Sequence, residues 1–143
     1  MYISETEIEV RYYETDLMGI VHHSNYIRYF EVARSKALKD LNLPIEKIEE
    51  MGIMMPVIHV ECDYKTPARV GEVLRVVSTI KDAPRVKITI DTEIFSPAGE
   101  KVASGSVTLG FIHSDTRKAT RAPKFVVEVF EPFLKINYLN TLQ

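Results

Sequence analysis

Asp16 and two adjacent histidines, His22 and His23, lie close together in the stretch ETDLMGIVHHSNY, residues 14–26 of the chain. A carboxylate can attack a carbonyl carbon or deprotonate a water molecule. Directly after these residues the apolar spacing becomes helical, and a helix N-terminus presents unpaired N–H groups and a partial positive charge. A substrate carbonyl placed there would be polarised, and an oxyanion forming on it would be stabilised. The stretch therefore predicts a metal-free site that activates an electrophile, set against the plainer interpretation of a turn with two solvated histidines.

Thioesters are the carbonyl compounds that need so little assistance. Their leaving group is a thiol with a pKa of about 8.5, by comparison with cysteine, so the thiolate departs with little help from a general acid. An amide would need stronger acid assistance. Gly19, between Asp16 and the predicted helix, would let the backbone approach a substrate closely without a side chain in the way.

Two elements must hold this stretch in place. Residues 6–13 alternate between apolar and polar, which predicts a half-buried strand with Tyr12 on its core face. Residues 25–41 have apolar side chains at helical spacing, with two alanines on the buried side that favour close approach to a sheet. Ser24 or Asn25 is the predicted N-cap of that helix.

The remainder of the chain is mostly period-two. A short helix is predicted over residues 44–52, and strands over 55–65, 72–81, 86–95 and 100–113, with 123–134 open as a short helix or a final strand. Tight turns between the strands require antiparallel pairing. The predicted fold class is α+β, one long helix packed on a twisted antiparallel β-sheet, in a single domain over residues 1–143. The strand at 72–81 is apolar on both faces, which favours a partner subunit on the outer face.

Composition narrows the function classes. The chain has 143 residues, 45% hydrophobic and 27% charged, which is ordinary for one globular domain. A net charge of −2 and a pI near 6.1 argue against nucleic-acid binding. The single cysteine, Cys62, cannot form an internal disulfide and suits a reducing compartment. With no signal-peptide pattern and no apolar run of bilayer length, the expectation is a cytoplasmic protein without a membrane span.

The pattern in YYETDLMGIVHHSNYIRYFEVAR is an aromatic residue, T-D, G-x-V-x-H-x-x-Y and F-E-x-A-R. It is matched by Tyr12 or Tyr13, Thr15, Asp16, Gly19, Val21, His23, Tyr26, Phe30, Glu31, Ala33 and Arg34. This resembles hotdog-fold acyl-CoA thioesterases of the 4-hydroxybenzoyl-CoA thioesterase-like branch. The later DYKTPARVGEVLRV is similar to the Y-x-x-P-A-x-x-G-[DE] segment of that family, so the resemblance spans about residues 5 to 125.

The resemblance implies a role for each matched residue. Asp16 would be the catalytic carboxylate, either as nucleophile or as general base. The backbone N–H of His23 would hold the thioester oxygen, with the His23 side chain in support. Tyr12 would orient the substrate or the acid, and Gly19 and Tyr26 would contact the substrate.

The resemblance also implies how coenzyme A is bound. Arg85, Arg121 and, more weakly, Lys118 match positions where the family places basic residues, and cations at the pocket mouth suit the phosphates. Coenzyme A is part of the substrate, so no separate cofactor is expected. The expected assembly is a homodimer or a dimer of dimers (a homotetramer), with its sites at the subunit interface.

Other candidates have plainer interpretations. Arg34 and Glu31 are predicted to form a structural ion pair, and Cys62 to be a buried, inert thiol. No histidine pair has metal-ligand spacing, so no metal site is predicted. Two rival functions stay open: a hotdog hydratase or dehydratase, whose Asp–His pair lies closer together than here, and a non-catalytic acyl-CoA-binding module. The acyl chain is not specified by the sequence.

Overall fold

A computed structural model describes residues 1–134 of the chain. In chain order the elements are β1 (Tyr2–Glu9), a 3₁₀-helix (Tyr12–Glu14), α1 (Ser24–Asp40), α2 (Ile45–Glu50), β2 (Ile53–Met54), β3 (Val57–Tyr64), β4 (Val73–Ile80), β5 (Lys87–Phe95), β6 (Lys101–Gly110), β7 (Ile112–His113) and α3 (Lys124–Glu128). Five strands form one antiparallel sheet in the order β1-β4-β5-β6-β3, and β2 pairs with β7. The prediction of one long helix on an antiparallel sheet is confirmed.

The connection between β3 and β4 differs from the prediction. A tight turn would pair these consecutive strands, but β5 and β6 lie between them in the sheet. Residues 65–72 instead pass the Asp16 loop, where the N–H of Val21 donates to the carbonyl of Ala68 at 2.8 Å. The chain then enters β4 beside β1, with Tyr2 opposite Ile80. The crossover leaves β3 at one edge of the sheet.

The helix α1 lies directly against the sheet. Ala33 and Ala37 on its inner side are 2% and 0% exposed, which confirms the close approach predicted from the two alanines. A Cβ built on Gly105 of β6 would clash with the carbonyl oxygen of Glu61 in β3 and lie 2.8 Å from Cε2 of Phe30 in α1. Gly105 pairs regularly with Thr92 of β5 and Cys62 of β3. Its lack of a side chain makes room for both the neighbouring strand and the helix.

Several predicted boundaries shift for local reasons. The first strand is displaced toward the N-terminus, because its antiparallel partner β4 begins at Val73, opposite Glu9, and the chain beyond Glu9 turns into the 3₁₀-helix. The helix α1 begins at Ser24, with His23 at the N-cap, so the predicted Ser24 or Asn25 cap is wrong. The backbone N–H of Ser24 donates to Nδ1 of His22 at 3.2 Å. For residues 123–134 the sequence allows a short helix or a final strand, and the structure has a short helix there, over Lys124–Glu128.

The outer face of the sheet, away from α1, carries three ion pairs. They join Arg75 to Glu5, Lys81 to Asp91 and Lys101 to Glu93, at 3.1, 3.5 and 2.7 Å. On the outer face predicted to be apolar within residues 72–81, Val73 is exposed and Val77 is half-buried, with the charged Arg75 between them. Within residues 1–134, no helix is both long and apolar enough to cross a membrane.

Candidate active site

The loop that carries Asp16 is closed on itself. Thr15 and Val21 form an isolated antiparallel bridge, and the N–H of Asp16 donates to the carbonyl of Ile20 at 2.8 Å. Gly19 donates to the carbonyl of Asp16 at 3.0 Å and has a φ of +75°, a conformation that favours glycine. A Cβ at Gly19 would meet nothing within 4 Å, so its glycine is required by backbone conformation and not by close packing.

The carboxylate of Asp16 is half-buried. Its Oδ1 accepts the N–H of Met18 at 2.8 Å, which fixes the side chain in an Asx turn. No other donor to this carboxylate is present in the part of the chain that the structure describes. One carboxylate oxygen therefore remains available to a water molecule or a substrate.

The tip of α1 has one unused donor. The N–H groups of His22, Ser24 and Asn25 donate respectively to the carbonyl of Glu14, Nδ1 of His22 and the carbonyl of His22. The N–H of His23, between them, has no acceptor among residues 1–134. It lies at the N-cap, where the helix dipole adds partial positive charge.

Two cavities meet at Asp16. The first, which we call the tyrosine cavity, has a volume of about 320 Å³ and is lined by Asp16, Met18, Ile20, Val21, His23, Tyr26, Tyr64, Lys65, Thr66 and Pro67. The second, the loop groove, has a volume of about 600 Å³ and is lined by Tyr12, Tyr13, Thr15, Asp16, Leu17, Gly19 and Val70. The structure thus brings Asp16, His23 and Tyr26 to one cavity and Asp16, Gly19 and Tyr12 to the other.

Three aromatic rings form one wall of the tyrosine cavity. The rings of Tyr26 and Tyr64 have centroids 5.5 Å apart, and His23 meets Tyr64 edge to face at 6.3 Å. The hydroxyl of Tyr64 donates to the carbonyl of His23 at 3.4 Å. Burial raises the pKa of Tyr26, so its phenol stays protonated. Tyr64 was not among the predicted site residues, although its motif, YKTPARVG, had been singled out.

Tyr12 does not lie where the sequence placed it. The predicted strand with Tyr12 on its core face is wrong, because the chain leaves the sheet after Glu9 and Tyr12 starts the 3₁₀-helix. Its side chain is 82% exposed, and its carbonyl accepts both the N–H and the hydroxyl of Thr15. Tyr12 still lines the loop groove, so a substrate contact remains a prediction.

Glu14 is a buried carboxylate that sequence analysis missed. It is 8% exposed, and its Oε1 accepts the N–H of Arg11 at 2.8 Å and the hydroxyl of Tyr29 at 3.1 Å. Burial raises the pKa of the Tyr29 phenol, and the neighbouring Glu14 carboxylate raises it further. Because Glu14 lies between two exposed tyrosines and the Asp16 loop, nothing in its local pattern predicts burial.

The predicted phosphate-binding cations are only partly grouped. Arg85 and Arg121 line one cavity of about 340 Å³ together with Lys81 and Lys87, which we call the cation cavity. The N–H of Ala122 donates to the carbonyl of Arg85 at 2.6 Å, which holds the two segments together. Lys118 does not line this cavity.

The cation cavity and Asp16 lie at opposite ends of the sheet. Tyr64, on the wall of the tyrosine cavity, pairs with Ala103 near the start of β6. Lys87, at the cation cavity, pairs with Gly110 at the end of β6. Seven residues of strand separate these positions, which corresponds to roughly 23 Å. One copy of the chain therefore holds its carboxylate and its cations far apart.

Arg34, Glu31 and Cys62 line neither cavity at Asp16. The predicted ion pair between Arg34 and Glu31 is wrong, because no ion pair within 4.0 Å joins them in the described chain. Burial lowers the pKa of the Arg34 guanidinium, and the negative charge of Glu31 partly opposes this shift. Cys62 is half-buried, and burial raises the pKa of its thiol, as fits an inert cysteine. Residues 1–134 contain no cluster of three or more histidine, cysteine or acidic side chains able to hold a metal.

Known proteins are similar to this chain in sequence. The protein YneP of Bacillus subtilis is 42% identical over 100 residues, which cover 70% of this chain and 72% of YneP. The acyl-CoA thioesterase YbgC of Helicobacter pylori is 30% identical over 128 residues, covering 84% of this chain and 94% of YbgC.

A solved structure extends the similarity to three dimensions. The DHNA-CoA thioesterase of Staphylococcus aureus superposes with a TM-score of 0.80 at 37% identity, covering 85% of this chain and 81% of that one. The sequence model of the thioesterase-like superfamily matches residues 10–130, which include β3 to β6, α1 and the whole Asp16 loop. With this match and the shared architecture, the chain is a hotdog-fold protein that belongs to the thioesterase-like superfamily.

Proposed function

We propose that this protein is an acyl-CoA thioesterase, which hydrolyses an acyl-CoA thioester to a carboxylic acid and free coenzyme A. One observation carries the proposal: Asp16 and His23, whose N–H has no acceptor among residues 1–134, line the same cavity at the tip of α1. A thioester carbonyl placed between them would meet a nucleophile or base on one side and a hydrogen-bond donor on the other. The proposal requires no separate cofactor.

The chemistry needs only these two groups. Either the carboxylate of Asp16 takes a proton from a water molecule that attacks the carbonyl carbon, or it attacks that carbon itself and forms an anhydride that water then opens. In both routes the carbonyl oxygen gains negative charge, which the N–H of His23 and the helix dipole stabilise. The carbon–sulfur bond then breaks, and coenzyme A leaves as a thiolate. Oxygen-18 appearing in Asp16 after a single turnover in labelled water would identify the anhydride route.

We further propose that the site is completed by a second copy of the chain. β3 pairs with β6 alone within residues 1–134, and its exposed side chains include Val57, Ile58 and Tyr64. Two copies can pair their β3 edges antiparallel about a two-fold axis. That arrangement places the Val57 end of one β3 beside the Tyr64 end of the other.

This pairing explains the separation of carboxylate and cations. The cation cavity lies at the Val57 end of the sheet and Asp16 at the Tyr64 end, so the second copy would bring Arg85 and Arg121 toward the first copy's Asp16. Guanidinium groups suit the phosphates of coenzyme A, which project from the thioester. The free thiol of Cys62 suits a reducing compartment, and we place the enzyme in the cytoplasm.

A thiol-release assay tests the function. Aromatic, short-chain and long-chain acyl-CoAs are supplied to the wild-type protein and to Asp16→Asn, and free coenzyme A is measured with a thiol reagent. The expected result is release by the wild type for at least one class and almost none by Asp16→Asn. Binding of coenzyme A without release for every class would indicate the non-catalytic module. Loss of the double-bond absorbance of an enoyl-CoA without thiol release would indicate a hydratase.

A further inference from the structure

We propose that the buried Glu14 is a positioning residue that holds Asp16 in register with the tip of α1. The inference rests on the proposed function, because the two segments that Glu14 joins are the two halves of the proposed catalytic site. Glu14 itself is too buried to touch a substrate, and it lines neither cavity at Asp16.

The backbone of Glu14 joins the loop to the helix. Its carbonyl accepts the N–H of His22 at 2.9 Å and Nδ2 of Asn25 at 2.8 Å. His22 immediately precedes the donor residue His23, and Asn25 is a buried residue in the first turn of α1. Asp16 is two residues beyond Glu14. The carbonyl of Glu14 therefore links the segment that carries Asp16 to the start of α1 through two hydrogen bonds.

The side chain of Glu14 fixes that carbonyl in turn. Burying a carboxylate is costly unless donors surround it, and here Arg11 and Tyr29 both donate to Oε1. Tyr29 is 1% exposed and belongs to the inner face of α1, so its hydroxyl ties Glu14 to the body of the helix. The residue is thus held to α1 twice, once by its side chain and once by its carbonyl.

Apolar packing adds little to this connection. Leu17 and Met18, which follow Asp16, are 108% and 72% exposed, so apolar burial contributes almost nothing to their placement. The bridge between Thr15 and Val21 closes the loop, and one of its two hydrogen bonds is the bond from His22 to the Glu14 carbonyl. The backbone of Ala68 bonds both Val21 and the phenol of Tyr26, which gives a second and less direct tie through the crossover segment. Displacing a reacting group by about 1 Å can cost on the order of a hundredfold in rate, so this connection matters to turnover.

A pair of tyrosine variants tests the proposal with a matched control. Tyr29→Phe removes the buried hydrogen bond to Glu14, and Tyr2→Phe removes a comparable buried hydrogen bond, 3.1 Å long, to the carbonyl of Ala37 near the other end of α1. Both substitutions delete one hydroxyl from a core tyrosine. Glu14→Gln is the third variant, since it removes the charge and keeps the shape.

Two readouts are measured on the full chain. Hydrogen exchange of the amides in residues 15–24 reports the order of the loop and the helix tip, whatever the activity is. Steady-state kinetics with the best acyl-CoA report kcat and KM. For Tyr29→Phe we expect faster exchange in this segment and a loss in kcat of about tenfold with KM nearly constant, while Tyr2→Phe leaves both unchanged. Glu14→Gln should show the same direction of change.

The outcomes separate the two proposals. If Tyr29→Phe and Glu14→Gln lower the melting temperature as Tyr2→Phe does but leave exchange and kcat unchanged, Glu14 is only a stability element and the inference is overturned. Faster exchange with an unchanged kcat also overturns it, because position would then not limit turnover. If the wild type releases no thiol from any acyl-CoA, the proposed function fails, and the exchange readout still decides whether Glu14 holds the two segments together.

Discussion

The two ends of the sheet were built in different ways. At the Asp16 end, the bonds that shape the site join residues close in the chain, such as Glu14 to His22 and Asp16 to Ile20. At the other end, the cation cavity joins Arg85, before β5, to Arg121, which follows β7. The Asp16 loop at the first end is a local structure, although Tyr64 and the crossover segment complete the wall of its cavity, and the second end is a product of the fold. The proposed chemistry is therefore carried by one short stretch, while the proposed substrate binding depends on how distant segments, and a second copy, come together.

The carboxylate end should be the more sensitive to a single substitution. Asp16→Asn is expected to reduce kcat/KM about 10³-fold or more, because an amide neither attacks a carbonyl nor takes a proton from water. Inhibition by free coenzyme A should stay nearly the same. Asp115→Asn is the matched control, since Asp115 is an exposed acid whose Oδ1 also accepts a backbone N–H, that of Thr116. A rate for Asp16→Asn close to wild type would remove this residue from the mechanism.

The helix tip should be sensitive to the loss of a backbone donor and less so to the loss of a ring. His23→Ala keeps the N–H and should lower kcat only about threefold to tenfold. His23→Pro deletes the N–H and should lower kcat on the order of a hundredfold. Proline fits here because the φ of His23 is −53° and its N–H has no acceptor to lose in the described part of the chain. Equal losses for the two variants, with both proteins folded by circular dichroism, would show that the N–H is not the oxyanion donor.

Substitutions at the cation cavity should weaken substrate binding and leave the rate of the chemical step nearly unchanged. Arg85→Ala combined with Arg121→Ala is expected to raise KM for acyl-CoA about tenfold to a hundredfold, because charge-assisted hydrogen bonds to phosphate are lost. The value of kcat should change little. Lys118→Ala, outside the cation cavity, serves as the control and should leave KM unchanged. A truncated substrate lacking the nucleotide should bind the double variant and the wild type equally.

Mixing the two kinds of variant tests whether both ends meet across subunits. Asp16→Asn and the Arg85→Ala/Arg121→Ala double variant are co-refolded in equal amounts, under conditions where the double variant alone has little activity. Random association makes half of the dimers mixed. If each site takes its carboxylate from one copy and its cations from the other, every mixed dimer has one intact site out of two. Activity should then recover to about one quarter of wild type. No recovery, with mixed dimers demonstrated by a mass tag, would place both groups in one copy.

Prediction from sequence worked where contacts are local or periodic. Apolar residues alternate along β5 and recur at helical spacing along α1, and both patterns predict which face of the element is buried. The structure buries the predicted faces, which include Ile90 of β5 and Ala37 of α1. The motif around Asp16 also placed His23 and Tyr26 at the same site. Prediction failed at Tyr12, because an alternating pattern ran on past the end of the sheet pairing.

The sequence by itself determined the local arrangement on which the proposed chemistry depends. An acid, a glycine in a turn and a helix start at fixed spacing form this arrangement because each hydrogen bond spans few residues and costs little chain entropy. Only the tertiary structure decided that β5 and β6 would separate β3 from β4, that Glu14 would be buried beneath Tyr29, and that the cations would lie at the far end of the sheet. Those outcomes depend on pairing between distant strands and on packing against α1, where many alternatives share the same local pattern and only the whole core selects one.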